Sequence, residues 1–332
     1  MTIREVDLGI EAIYGVAPTA FVFQRVNSFD FKNLAPLEQP RETSGTGIPL
    51  QRPRPKGRHG TWTAKVYAYH DMTAYWLALL LGTPTVTGVA GATGAFDHIF
   101  KAGGSAIKSA ALRWKQVSSA GTIWWQALGC EAKTIKPTIS ADGMPMFEIS
   151  GIGKYALVIT APGSPPSDTT AAYVTPGSQD QQVLTKSAVA WTKVKKLGIS
   201  IDNGIAPDWT IAATRDFSRI KIGDTVVGLD ADAFFDALIG SMQEAQNTPT
   251  ALLGPLVYTI TDPTTLIGTP TPVAPATTIA IPKPYVDNDT TDATATDTEE
   301  KAKLLAAYDS TSATNITVTL RCELVVGIYT GT

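Results

Sequence analysis

Apolar and polar residues alternate in two stretches of the chain that share the same ending. Phe29-Asp-Phe31-Lys-Asn33-Leu34-Ala35-Pro36 in the first half is matched by Ile199-Ser-Ile201-Asp-Asn203-Gly-Ile205-Ala206-Pro207 in the second, with Gly204 as the added residue. Alternation with period two predicts a strand, and the apolar-Ala-Pro sequence after each Asn predicts a turn. The shared Asn and Ala-Pro predict an internal repeat, with Phe29, Phe31, Ile199 and Ile201 at matching positions.

The pattern turns helical once in each half. Asp71 to Leu81 predicts a short amphipathic helix that buries Trp76 and Leu80, capped by Asp71 and stopped by Gly82. Asp230 to about Ala245 predicts a second, capped by Asp230, with Phe234, Phe235, Leu238, Ile239 and Met242 on its apolar face. The two starts lie close to half a chain apart. A third helix is predicted at Thr298 to Tyr308, where Glu299 and Glu300 suit a helix N-terminus. Gly129-Cys130-Glu131 closes the strand-like Thr122–Leu128 run, and Arg321-Cys322-Glu323 lies in the alternating run from Asn315 to Tyr329.

Between these elements, Thr160 to Gln182 has little apolar periodicity and reads as a linker. Thr261 to Asp297, rich in Pro, Thr and Asp, reads as an insertion and a long surface excursion. The chain thus divides into an N-terminal arm (1–20), a first domain (20–160), a linker (161–185) and a second domain (186–332) carrying the insertion at about 261–297. The expected fold is mainly β: two tandem β-sandwich or partly open barrel domains, each with a flanking α-helix.

Composition supports strands and turns over helices. Among 332 residues, charged residues make up only 17%, while Gly numbers 28 and Pro 22. A formal net charge of −3 excludes a strongly basic nucleic-acid binder, though not a protein past which DNA slides without being gripped. Two cysteines, Cys130 and Cys322, make no disulfide framework and read as small buried hydrophobes. The charged start at Met1–Glu5 predicts no secretory leader, and the densest apolar run, Tyr75 to Leu81, is far short of a bilayer span.

The sequence holds little that points to catalysis. His59, His70 and His98 have no metal-pair spacing and read as structural. Gly82–Gly104 lacks the Lys and the strand-to-helix context of a phosphate cradle and reads as a loop. Asp287, Asp289 and Asp292 lack the Gly and Glu positions of a calcium loop and read as a solvated acidic loop. No cofactor or metal is expected. Trp124 and Trp125 are adjacent, so a strand would turn one to the core and the other outward.

A basic stretch runs through Arg52, Arg54, Lys56 and Arg58, interleaved with Pro53, Pro55 and Gly57. It reads as an extended arm, from Arg41 to Arg58, whose cations pair with carboxylates on a neighbouring subunit. The first half also has more residues between its Ala-Pro turn and its helix than the second, as a contact made by one half alone would need.

Three segments carry a resemblance. Gly9-Ile10-Glu11-Ala12-Ile13-Tyr14-Gly15, Gly129-Cys130-Glu131 with the alternating hairpin after it, and Ile149-Ser150-Gly151-Ile152-Gly153-Lys154 together resemble the tail tube (major tail) proteins of long-tailed bacteriophages. The likeness covers most of residues 1–160 and extends weakly into the second half. It implies a ring-forming β-sandwich with a flanking helix, whose inner strands join across subunits. It also implies rings stacked into a hollow tail tube around a tape-measure protein, the conduit through which genomic DNA leaves. The expected partners are then copies of the chain itself, the tape-measure, tail terminator and tail tip proteins, with DNA passing unbound, in a virion assembled in the host cytoplasm. If each chain supplies two tube domains, three chains make a pseudo-six-fold ring. A decoration or baseplate protein, or a carbohydrate-binding β-sandwich using Trp124 or Trp125, are the competing readings.

Overall fold

The computed structural model describes residues 3–38, 54–103, 107–119, 121–140, 145–163, 166, 182–192, 194–209, 216–234, 254–292, 299–324 and 329. Its strands in the first half are β1 (Ile3–Ile10), β2 (Val22–Leu34), β3 (Leu37–Glu38), β4 (Arg54–Pro55), β5 (His59–Tyr67), β6 (Thr85–Gly88), β7 (Ala92–Thr93), β8 (Phe96–Lys101), β9 (Ala110–Ser118), β10 (Gly121–Ser140), β11 (Met146–Gly153) and β12 (Leu157–Ile159). In the second half they are β13 (Gln182–Lys186), β14 (Val189–Ala190), β15 (Val194–Asp202), β16 (Ala206–Asp208), β17 (Arg219–Lys221), β18 (Val226–Phe234), β19 (Leu256–Thr261), β20 (Thr269–Pro270), β21 (Ala276–Ile281), β22 (Pro284–Asp292), β23 (Glu299–Ala306) and β24 (Thr317–Cys322). Among the described residues one α-helix, α1 (His70–Leu81), accompanies them. The fold is mainly β, as the turn-rich composition predicts.

Two large antiparallel sheets face each other. In the first, β11, β5, β2, β1, β9 and β10 follow one another, and β10 also pairs β11, so these strands close into a ring. The length of β10 allows this: its N-terminal half pairs β9 and its C-terminal half pairs β11. That C-terminal half also pairs β15, from Thr134↔Asp202 to Ser140↔Lys196, and carries the sheet on through β18, β23 and β22. The second sheet runs β14-β13-β19-β21-β24-β8-β6 and mixes strands of both halves.

α1 lies between the sheets, against β10, β24 and β8. Every residue of α1 except Asp71 is buried, so the helix is enclosed all round instead of amphipathic. Trp76 packs on Trp62 with ring centroids 5.7 Å apart, and Tyr75 on Tyr329 at 6.5 Å. Gly82 stops the helix as predicted, with φ at 84° and its N–H donated to Ala78 O. The cap differs: Tyr69 holds that position without a side-chain bond, and Asp71 falls in the first turn.

Other predicted elements change type. Asp230 to Phe234 is the end of β18, in which Val227, Leu229 and Ala231 are buried and Val226 and Asp230 exposed, a period of two. Residues 235–245 of that predicted helix, with Phe235, Leu238, Ile239 and Met242, lie outside the described residues. Glu299 to Ala306 is β23, paired on both sides by β18 and β22, so sheet pairing overrides the helix propensity of Glu-Glu-Lys-Ala-Lys-Leu-Leu-Ala. The supposed surface excursion carries a core strand, β21, whose Thr277, Ile279 and Ile281 are buried. The supposed Gly-rich loop carries β8, with His98 and Phe100 buried. Asp287, Asp289 and Asp292 sit in β22, not in a loop.

Candidate assembly surfaces and the junction of the sequence motifs

The three motif segments meet in space. Glu11 follows β1, and its buried carboxylate accepts the Gly129 N–H at 2.7 Å on one oxygen. The other oxygen accepts the Ser109 hydroxyl and the Gly15 N–H, both at 2.7 Å. Tyr14 donates its hydroxyl to Gly129 O at 3.4 Å. The Lys154 N–H donates to Leu128 O at 2.9 Å, and Lys154 Nζ lies 5.1 Å from the centre of the Tyr14 ring. Gly129 takes φ +58°, and the Tyr14 ring stands where a Cβ would project, so a side chain fits there neither conformationally nor sterically. This glycine lies where the register between β9 and β10 shifts.

The junction is acidic and closed. Burial raises the Glu11 carboxyl above its ordinary range, against the pull of its three donors and Lys154. Burial, then the charge of Glu11, pushes Glu131 up to about 8, and one of its buried oxygens has no partner within the protein. Burial and the neighbouring Glu11 thus favour the protonated form of Glu131. Burial also raises Tyr14 and Cys130. Tyr14 and Ile152 pack against Ile205, Phe217 and Ile220, so the second half closes one side of the junction.

The root of the basic arm lies beside this junction. β3 pairs β4 at its root, and the Lys56 N–H donates to Pro36 O at 2.9 Å. Arg58, expected as an intersubunit cation, grips Asp216 of its own chain with two bonds of 2.7 and 3.2 Å. Its guanidinium also lies 4.9 Å from the centre of the Tyr155 ring. Lys56 is exposed, Arg54 lies in β4, and Arg41 and Arg52 lie outside the described residues.

Several strands keep one edge unpaired among the described residues: β12 beyond β10, β22 beyond β23, and β14 and β6 at the ends of the second sheet. The β12 edge is apolar, with Leu157 and Val158 exposed at 53% and 60%, and Val117 and Ile123 exposed on neighbouring β9 and β10. Such edges invite pairing with another chain. Trp125 stacks on Trp114 at 6.5 Å and 11°, while Trp124 lies 6.0 Å from the Arg113 guanidinium; both are half-buried.

The histidines have structural partners. His70 bonds Thr277 Oγ1 at 2.8 Å, His98 bonds Leu324 O and Tyr329 Oη, and His59 packs edge-on to Trp209. Cys130 and Cys322 are free and buried. Among the described residues no group of acids, histidines and cysteines is placed to hold a metal, and no helix is long and apolar enough to cross a membrane. The family resemblance pointed to Glu11, Tyr14, Gly129 and Lys154 by motif, but nothing in the sequence signalled Asp216 or Trp209.

A family model described as phage tail tube protein matches residues 5–294, and no curated protein matches the chain.

Proposed function

The chain belongs to the phage tail tube protein family, and from that premise we propose that it polymerises as stacked rings into the hollow tail tube through which the genome is delivered. The observation that carries this reading is a body whose first-half strands close on themselves, yet whose β12 and β22 each keep an edge unpaired among the described residues. Two unlike open edges on one chain suit a heterologous contact, the kind that closes into rings or extends into filaments. We propose three chains per ring, with pseudo-six-fold symmetry from two tube domains per chain. The recurrence of strand, Asn and Ala-Pro in β2 and β15 supports this. The arm from Arg41 to Arg58 contacts the next ring through its cations. The lumen is lined by polar or acidic side chains, because a basic wall would hold DNA phosphates. The tape-measure, terminator and tail tip proteins are the expected partners in a virion assembled in the host cytoplasm. Electron cryomicroscopy of the purified, polymerised protein tests this: a hollow tube with three chains per ring is expected. Discrete particles overturn the tube, and six chains per ring overturn the stoichiometry.

A further inference from the structure

Of the six asparagines in the chain, only Asn203 is followed by a glycine. In an Asn-Gly pair the backbone nitrogen of the glycine can attack the asparagine side-chain amide, because no Cβ on the second residue stands in its way. In this fold both reacting groups are tied. The Asn203 side-chain nitrogen donates to Leu80 O, and its oxygen accepts the Thr225 hydroxyl at 2.9 Å. The Gly204 N–H, which carries the nucleophile, donates to Asp202 Oδ1 at 2.7 Å. The Asn203 backbone is held on both sides, its N–H by Lys133 O and its carbonyl by the Gly223 N–H, each at 3.0 Å. The residue is buried.

We infer that Asn203 is a latent modification site: it loses its amide by spontaneous cyclisation in any chain whose corner at Asn203 is open, and the folded corner prevents the reaction. In the step, Gly204 N bonds to Asn203 Cγ and the Cγ–Nδ2 bond breaks. Nδ2 leaves as ammonia, taking up the proton that Gly204 N gives up. Water then opens the cyclic imide and leaves aspartate or isoaspartate at position 203. To react, Gly204 N must swing away from Asp202, and the Asn203 side chain must leave Leu80 and Thr225. The change is one-way for the fold. A carboxylate has no proton to give Leu80 O, so the bond that ties the last turn of α1 to the end of β15 is lost. Leu80 and Lys133 belong to the first half of the chain, Gly223 and Thr225 to the second. The site therefore records whether the two halves are docked.

The test incubates the full, unassembled chain at mildly alkaline pH and follows ammonia release, with peptide mass mapping to place the change at Asn203. The urea-unfolded parent is expected to convert at Asn203, and the folded parent at least about tenfold more slowly. Asp202→Ala frees the nucleophile. It is expected to convert faster than the folded parent while its denaturant unfolding stays nearly unchanged. Thr225→Val removes the hydroxyl that holds the amide oxygen, and is expected to act in the same direction. A folded parent that converts as fast as the unfolded one overturns the inference, as does an unfolded chain that keeps Asn203 intact. If neither variant converts faster than the folded parent, protection belongs to the fold as a whole, and the corner's role falls. Asn203→Asp carries the product of the reaction from the start. It is expected to unfold at lower denaturant than the parent, and equal stability overturns the one-way character of the change.

Discussion

Asn203 donates its side-chain amide to the carbonyl oxygen of Leu80, in the last turn of α1. Carbonyls in a helix's last turn lack intrahelical donors, and Asn203 supplies one to Leu80. Asn203 is 1% exposed, its oxygen accepts the Thr225 hydroxyl at 2.9 Å, and its N–H reaches Lys133 O at 3.0 Å. The corresponding Asn33 also bridges to distant backbone, exchanging bonds of 3.1 and 2.8 Å with Ala156. Asn203→Ala strips Leu80 O and the Thr225 hydroxyl of buried partners, and is expected to destabilise the unassembled chain by about 1–3 kcal/mol. Denaturant unfolding measures it, and a loss under about 0.5 kcal/mol shows that water takes over the role.

Gly129 combines a left-handed conformation with a wall of aromatic carbon. Gly129→Ala is expected to cost about 1–3 kcal/mol from the backbone alone, plus the displacement of Tyr14. Gly103 has φ +79° and, among the described residues, no atom within 4 Å of the point where a Cβ would stand, so Gly103→Ala isolates the backbone contribution. The difference between the two variants in chemical unfolding reports the packing of Tyr14. Equal costs mean that the ring moves aside freely.

The strands with clear alternation were legible in the sequence, β2 and β15 above all, as were α1 and its Gly82 stop. The failures have physical causes. Glu299–Ala306 is rich in helix formers, and only the neighbours β18 and β22, distant or unrecognised in the sequence, make it a strand. Asp230 imitates an N-cap because a solvent-facing Asp on a half-buried strand looks the same locally. The motif junction was legible as three segments but not as one site, since Glu11 and Gly129 are 118 residues apart. The sequence shows Arg58 as one cation of the arm but not its pair with Asp216, because that partner, 158 residues away, leaves no mark on the local pattern.

Buried Glu131 and half-buried Asp71 make stability depend on pH with a definite sign. Glu131 is pushed up to about 8 and Asp71 to about 7, both chiefly by burial and then by the charges of Glu11 and Glu323 respectively. In the folded chain they keep protons that the unfolded chain releases near its ordinary carboxylate pKa. Their stability contribution is full below that value and is lost as pH rises through about 7 to 8. Asp309 acts in the opposite sense, held low by Lys283 and Ser312, but its effect falls below the ordinary carboxylate range and leaves this window alone. His59, His70 and His98, which burial holds below their ordinary value of 6.5, act in the opposite sense at lower pH; above that range the unassembled protein should melt higher at pH 7 than at pH 8.5, and Glu131→Gln should flatten that slope. A slope unchanged in Glu131→Gln assigns the dependence elsewhere.

The arm's charges give the last prediction. Arg58 is engaged by Asp216, and the arm cations we propose to test against a neighbouring ring are Arg41, Arg52 and Arg54. Reversing Arg41, Arg52 and Arg54 to Glu removes three attractions and creates three repulsions against any carboxylates they face. Stacking should weaken, seen as loss of sedimenting tubes, while unfolding of the unassembled chain stays within about 0.5 kcal/mol of the parent. Exposed pairs are screened over about 10 Å at 0.1 M salt and about 3 Å at 1 M, so parent tubes should also loosen as salt rises. The two measurements check each other. If the triple variant loses tubes but the parent is indifferent to salt, the cations act from a dry interface, where screening ions do not reach. If both are unaffected, the rings are held by their sheet edges, and β12 becomes the surface to mutate.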